Sequence, residues 1–286
     1  MNNLSDINVI KSVLQRHGFT FSKALGQNFI INPGVCPRIA EEGRARKGVG
    51  VLEVGAGIGV LTAELAKRAD KVVCVELDAR LLPVLDETLG EFDNVKIING
   101  DILKVDLHKI LEEEFGDMPV VVCANLPYYI TSPVIMRLLE SRLNIESVTV
   151  MVQKEAAARL CAEVGSRNSG AVTVAVNYYA KAQKLFDVSR GSFMPSPNVD
   201  SAVIRLDILP EPPIQVSDEK FFFSTVRSAF SQRRKTASNG ISSGMGIPKA
   251  TVTEAIEAAG LSPSVRAETL TMEQLGTLCE ELKKRA

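Results

Sequence analysis

Between Gly50 and Val152, short aliphatic runs alternate with segments in which apolar residues return every three or four positions. The pattern predicts strands over 51–54, 71–76, 95–99, 120–124 and 147–152, with helices over 61–68, 79–89 and 133–139 between them. Strand and helix in strict alternation read as a mostly parallel sheet wrapped by helices on both faces. Two further helices are expected before the sheet. One covers 7–16 with Ser5 or Asp6 as its cap, and one opens at Asn32-Pro33, a cap followed by proline at the first helical position. The stretch 171–179 is rich in Val and Thr and favours a strand, yet Ser169-Gly170 before it is equally able to start a helix. Pro210-Glu211-Pro212-Pro213 reads as a linker, and beyond it helical periodicity dominates over 219–231, 249–259 and 272–284. The expected division is a domain over 1–208 that carries the sheet and a helical C-terminal domain over 209–286.

Composition adds a few constraints. With 286 residues, 45% apolar and 5% aromatic, and no Trp, the core must be aliphatic. Aromatic residues in turn motifs, Tyr128 and Phe193, therefore stand out. The formal net charge of −1 announces no polyanion partner, so any nucleic-acid contact has to come from a local patch. Five widely spaced cysteines in mostly apolar surroundings read as reduced, buried thiols of a cytoplasmic protein with no metal site. No secretory signal or membrane-spanning run is evident. His17 and His108 fall in helical or linker patterns and read as solvated or capping residues rather than catalysts.

Chemistry concentrates at predicted strand ends. After the first strand, Glu53-Val54-Gly55-Ala56-Gly57-Ile58-Gly59 puts glycines where backbone N–H groups and a helix start can approach a ligand. The spacing differs from the dinucleotide fingerprint Gly-x-Gly-x-x-Gly, which disfavours a nicotinamide cofactor. Glu76 ends the second strand, where a carboxylate can accept from both hydroxyls of a ribose. Asp101, in Asn99-Gly100-Asp101-Ile102, can receive the amino group of an adenine. Three separate polar anchors along one sheet edge suit S-adenosylmethionine, with Gly55, Gly57, Glu76 and Asp101 as contacts. Asp78 and Asp106 are expected to cap the helices that follow them.

Asn125-Leu126-Pro127-Tyr128 directly follows the apolar run 120–124. The Asn125 side-chain oxygen and the Leu126 carbonyl can accept from the two hydrogens of an exocyclic amine, while Pro127 fixes the turn and Tyr128 stacks on the base. Taken alone, the tetrapeptide also fits an ordinary strand-to-helix turn with Thr131 capping before Pro133. A base removed from its stack needs a second aromatic face, for which Phe193 in Ser192-Phe193-Met194-Pro195-Ser196-Pro197 is the candidate, its alternative being a ring packed beneath that loop.

These motifs, in this order, resemble those of the small-subunit ribosomal RNA adenine N6,N6-dimethyltransferase family. The resemblance runs over nearly the whole chain through Leu25-Gly26-Gln27-Asn28-Phe29, the Glu53 to Gly59 loop, Glu76, Gly100-Asp101, Asn125 to Tyr128, Phe193 to Ser201, and Phe230-Ser231-Gln232-Arg233-Arg234-Lys235. It implies a class I S-adenosylmethionine-dependent methyltransferase of α/β class, with a Rossmann-like, seven-stranded mostly parallel sheet and a small all-α C-terminal domain. It also implies dimethylation of two adjacent adenines near the 3′ end of 16S rRNA within a pre-assembled 30S particle, by a monomer. Asn28, Ile30, Gly55, Glu76, Asp101 and Asn125 are carried onto the cofactor site, and 171–179 becomes helical. Two departures stand out: Ile30 replaces a more usual Leu, and Thr236-Ala237-Ser238-Asn239-Gly240 differs on the presumed RNA side.

Lys220, Arg227, Arg233, Arg234 and Lys235 form a local basic surplus without an intervening acid, suited to phosphate contact. Arg227, Arg233, Arg234 and Lys235 are the expected RNA contacts, whereas Phe221-Phe222-Phe223 reads as core. Two other functions share parts of this pattern: an adenine N6-methyltransferase acting on DNA or large-subunit rRNA, and an assembly or transcription factor that keeps the fold without turnover.

Overall fold

The computed structural model describes residues 4–22, 26–232 and 234–286. In chain order the elements are α1 (Ile7–Arg16), β1 (Phe29–Ile30), α2 (Val35–Glu42), β2 (Gly50–Val54), α3 (Val60–Ala66), β3 (Lys71–Glu76), α4 (Leu82–Leu89), β4 (Val95–Asn99), α5 (Leu107–Phe115), β5 (Val120–Asn125) and α6 (Thr131–Glu140). There follow β6 (Ser147–Gln153), α7 (Lys154–Leu160), α8 (Ala171–Tyr179), β7 (Ala180–Val188), β8 (Phe193–Met194), β9 (Ser201–Ile208), α9 (Glu219–Phe230), α10 (Ala237–Met245), α11 (Lys249–Ala258) and α12 (Met272–Lys283). The chain divides into two compact units, one made of Met1–Ala157 and Ala182–Ile208, the other of Ala158–Lys181 and Leu209–Ala286.

The first unit holds a seven-stranded sheet in the order β4-β3-β2-β5-β6-β9-β7. From β4 through β6 every neighbouring pair is parallel, and β9 lies antiparallel to β6. Successive residues of a strand face opposite sides, so an aliphatic run buries both. Val51, Cys74, Cys123, Met151 and Val203 join the core built by α1 to α4, while Leu52, Val73, Val122 and Val150 are fully buried on the other face. Each aliphatic side chain so buried contributes about 1.5–3 kcal/mol. Strand order reverses between β2 and β5: the chain moves outward through β3 and β4, then returns to the other flank of β2. A reversal of this kind opens a crevice at the carboxyl ends of the strands, the usual ligand position in such sheets.

Local chemistry explains most boundaries. Asp6, rather than Ser5, caps α1, its carboxylate accepting from Asn8 N–H at 2.7 Å. Asp106 caps α5 through Lys109 N–H at 3.1 Å. Asp78 caps a 3₁₀ turn, Ala79–Leu81, which splits the expected 79–89 helix and hands over to α4 with Pro83 in its first turn.

Other boundaries correct the expectation. Helix α2 starts at Val35, not at Pro33, because the Asn32 side chain caps the preceding turn by accepting from Gly34 N–H at 3.0 Å. Thr131 is the first residue of α6 rather than its cap, with Oγ1 donating back to the Pro127 carbonyl at 3.4 Å.

In the second unit the segment 171–179 is helical, against its β-branched composition. The Gly170 N–H donates to Thr173 Oγ1 at 3.0 Å, and that hydroxyl donates to the Arg159 carbonyl at 2.8 Å. The rings of Tyr178 and Tyr179 pack on Phe222 and Phe223 at centroid distances of 5.1–5.5 Å. Tertiary contacts of this kind override local propensity, and they explain why 158–181 groups with the C-terminal helices rather than with the sheet domain.

Phe222 and Phe223 are core residues, as their sequence setting suggested. The divergent segment 236–240 opens α10, where Ala237, Ser238 and Gly240 are buried. A Cβ on Gly240 would stand 2.5 Å from the Ser228 carbonyl oxygen, so glycine is what lets α10 close on the α9 backbone. Ala237, Ser238 and Gly240 therefore serve helix packing, while Thr236 and Asn239 stay half-buried. Among the described residues no helix is long and apolar enough to cross a membrane, and none of the five cysteines is in a disulfide.

Candidate active site

A cavity in the first unit opens at the carboxyl ends of β2, β3, β4 and β5, on the crevice predicted by the strand order. From β2 it receives Glu53 and the loop Gly55 to Ile58, from β3 Glu76 and Leu77, from β4 Gly100 to Ile102, and from β5 Asn125 to Ile130. Gln27, Asn28 and Ile30 line it from the N-terminal side, and Phe193 completes it. All the expected cofactor and base-pocket residues thus meet in one place. Asn28 and Ile30 arrive beside Phe193 because β1 pairs antiparallel with β8, with Ile30 opposite Phe193.

Gly55 has φ +78°, and a Cβ built on it meets nothing within 4 Å. A side chain there would stand in the open space of the cavity, so the glycine both allows the turn and leaves a cradle for a ligand. Glu76 forms the floor: one carboxylate oxygen accepts from Gly57 N–H at 3.1 Å and the other from Asp78 N–H at 2.8 Å. Burial pushes its carboxyl up, and those backbone donors hold the rise back. Each oxygen retains a lone pair, enough for a pair of ribose hydroxyls. Asp101 keeps one oxygen on its own turn, accepting from Leu103 N–H at 3.0 Å, and remains at the cavity edge.

At the end of β5 the Asn125 amide nitrogen donates to the Asn28 carbonyl at 3.4 Å. Asn28 is itself held by donation from its own amide to the Gly26 carbonyl at 3.0 Å. With its donor end engaged, Asn125 keeps its oxygen as an acceptor. The hydroxyls of Tyr128 and Ser201 share a hydrogen bond of 2.8 Å, fixing the Tyr128 ring, and burial pushes its phenol up. Phe193 is only 3% exposed and forms part of the wall.

Several pocket residues carried no sequence signal of their own. Leu77 is 50% exposed and Ile102 buried, both apolar and both beside polar anchors. Tyr129 is 56% exposed at the mouth. Gln27 donates to Asp78 at 2.8 Å, which ties the N-terminal loop to the turn after Glu76. Asp78 is also gripped by Arg80 at 2.6 Å, and that guanidinium holds its carboxyl below the usual range. Asp78 thereby fastens the N-terminal loop to the turn after Glu76.

Glu53 is fully buried, with neither carboxylate oxygen hydrogen-bonded. The strand register sets it between Cys74 and Cys123. Burial, with some help from the charge of Glu76, pushes its carboxyl up from 4.5 to about 8, while Thr62 and Cys74 beside it restrain the rise. The folded chain thus keeps a proton that the unfolded chain releases near 4.5, so stability is complete below that pH, declines up to about 8 and then levels. Replacing Glu53 with Gln removes the slope. In denaturant melts across this range, the stability advantage of Glu53→Gln over the parent should grow by on the order of 3 kcal/mol between pH 5 and 8. Parallel curves would show that Glu53 is ionised in the fold.

The basic residues expected to contact RNA belong to the second unit. Lys220, Arg227, Arg234 and Lys235 are exposed, while Arg233 lies outside the described residues, as does Leu25. Among the described residues no group of His, Cys, Asp or Glu is placed to hold a metal ion.

The sequence pattern of the family described as ribosomal RNA adenine dimethylase matches residues 18–284. A "Ribosomal RNA small subunit methyltransferase A" from Alkaliphilus oremlandii is 44% identical over 286 residues, covering 100% of both chains, and its namesake from Bacillus mycoides is 44% identical over 99% of this chain and 98% of its own. Among solved structures, a dimethyladenosine transferase from Plasmodium falciparum superposes with a TM-score of 0.71 at 26% identity, covering 90% of this chain and 98% of the other. The 23S rRNA methyltransferase ErmE gives 0.65 at 29%, covering 90% and 100%. With a strand-end cavity of this make-up and a family match that begins before the sheet and runs almost to the last residue, the chain belongs to the ribosomal RNA adenine dimethylase family.

Proposed function

We propose that this protein transfers methyl groups from S-adenosylmethionine to the N6 amines of two adjacent adenines near the 3′ end of small-subunit rRNA, acting as a cytoplasmic monomer on a pre-assembled 30S particle. The observation that carries the reading is the Asn125 amide, whose nitrogen is spent on the Asn28 carbonyl while its oxygen is left to accept, in the same cavity as the glycine cradle.

The residues present fit the cofactor. Gly55 and Gly57 give it close backbone approach, Glu76 has acceptors for the ribose hydroxyls, Asp101 suits the adenine amino group, and Asn28 and Ile30 close the near side. When bound, S-adenosylmethionine supplies an electrophilic methyl on a sulfonium sulfur. The chain has to make a poor nucleophile attack it. The lone pair of an adenine N6 is delocalised into the ring; when its two hydrogens are accepted by Asn125 Oδ1 and the Leu126 carbonyl, the nitrogen is drawn toward tetrahedral geometry. Asn125 Oδ1 and the Leu126 carbonyl would thus hold the amine with its lone pair free for the methyl group that the bound cofactor would supply, and the proton given up by the amine would pass to water. No general base is required.

Tyr128 and Phe193 supply the two faces for the extruded base. Replacing either with Ala should leave the cofactor affinity within about twofold of the parent while methyl transfer falls about tenfold or more, the loss of one base–aromatic stack. Calorimetry showing cofactor binding abolished would remove these rings from the base pocket. Lys220, Arg227, Arg233, Arg234 and Lys235 are assigned to phosphate contacts, which position the RNA without reading its sequence.

Mass spectrometry of rRNA from cells with and without this protein tests the function. The reading requires two neighbouring N6,N6-dimethyladenines near the 3′ end of the small-subunit rRNA to disappear with the gene. A lesion in large-subunit rRNA instead would transfer the activity to the ErmE type of substrate.

A further inference from the structure

The reading above gives the target adenine two stacking faces and gives its neighbour nothing. Taking one base out of a stacked pair strips the adjoining base of one partner as well, and that loss opposes entry into the pocket. An aromatic surface at the mouth would replace it.

Tyr129 has the required placement. The turn Tyr128–Ile130 is 3₁₀, so successive side chains project about 120° apart. Tyr128 consequently points inward to its hydrogen bond with Ser201, and Tyr129 turns outward at the same cavity, 56% exposed. The outward ring is also supported. A Cβ built on Gly26 would lie 3.4 Å from both Cδ1 and Cε1 of Tyr129, and 3.6 Å from Pro127 Cβ, so the Gly26 loop flanks one side of the ring at about a methyl's distance. A large ring held on one side and left in water on the other, at the entrance to a purine pocket, is arranged to receive a flat apolar ligand on its open side.

We infer that Tyr129 is a substrate-positioning residue that stacks on the base adjoining the target adenine, thereby favouring a stacked dinucleotide over an isolated adenine. The inference rests on the proposed function and concerns binding rather than the chemical step: the open side of the ring receives the base, while Asn125 and the Leu126 carbonyl act on the amine as before.

Small subunits reconstituted with the natural adenine pair, or with one member of the pair replaced by an abasic residue, separate the possibilities. Tyr129→Ala should raise KM for the natural substrate about tenfold, the scale of one base–aromatic stack, with kcat and the calorimetric affinity for S-adenosylhomocysteine within about twofold of the parent. Tyr129→Phe and Tyr129→Trp should restore the KM, because stacking needs the ring and not the hydroxyl. The abasic substrate should raise the parent's KM by a similar factor and have no further effect on Tyr129→Ala. The inference is overturned if Tyr129→Ala matches the parent on the natural pair, if the abasic and Ala effects multiply, if Phe and Trp fail to rescue, or if cofactor affinity is what falls. Failure of the parent itself to methylate either particle would overturn the proposed function, and this inference with it.

Discussion

Asn125→Ala is expected to slow methyl transfer at least about a hundredfold while the protein binds its RNA particle nearly as well as the parent. The alanine removes one of two acceptors for the N6 hydrogens, and these acceptors matter most when the nitrogen pyramidalises. A contact of that kind lowers the barrier without adding much to ground-state binding, so its loss falls on kcat. Loss of a single preorganised hydrogen-bonding group from an active site commonly costs 10²–10³ in rate. The substitution also frees the Asn28 carbonyl, and because that hydrogen bond is long and Asn28 is half-buried, the strand end should not unfold. Single-turnover transfer from tritiated cofactor to assembly-stage small subunits measures the effect. Equal rates for variant and parent would mean that another group activates the amine.

Glu76→Ala should raise the dissociation constant of S-adenosylhomocysteine about a hundredfold or more. On the proposed assignment, two charge-assisted hydrogen bonds to ribose would vanish together, each worth about 1.5–3 kcal/mol, and each 1.4 kcal/mol is a factor of ten. The effect is compounded locally, because Gly57 N–H and Asp78 N–H both lose their acceptor and the glycine loop loses its anchor to β3. Glu76→Gln retains an oxygen for one of these donors and should fall between the variant and the parent. Calorimetry with the nucleoside alone keeps this measurement independent of RNA. An unchanged affinity in Glu76→Ala would place the ribose elsewhere.

The parts of this architecture written locally in the chain were open to reading from sequence. The strands β2 to β6 announce themselves as aliphatic runs, and Asp6 and Asp106 cap the helices that follow them, whereas Asp78 caps a 3₁₀ turn instead of the expected helix. That Gly55, Glu76, Asp101 and Asn125 meet in one cavity could be expected because each lies at or just beyond the carboxyl end of a strand, where a parallel sheet exposes its binding edge. What remained hidden depends on distant partners. The residues of 171–179 left strand and helix open, and only the resemblance gave the helix, whose tyrosines pack on the distant Phe222 and Phe223. The strands β7 and β9, the helix α7 and the helix α10 lack a distinctive local pattern, and the start of α10 makes sense only beside the Ser228 carbonyl. Tyr129 followed a more conspicuous tyrosine, and nothing in a string of residues tells which of two adjacent rings faces water.

Crystals grown with S-adenosylhomocysteine and adenosine together give the most direct test of the central claim, that one cavity holds both the methyl donor and the adenine amine. The account requires the sulfur to lie over the Gly55 loop, the adenine to enter between Tyr128 and Phe193, and N6 to sit within hydrogen-bond distance of Asn125 Oδ1 and the Leu126 carbonyl while facing the sulfur. A sulfur turned away from Asn125, or an adenine that cannot reach that amide, would contradict it.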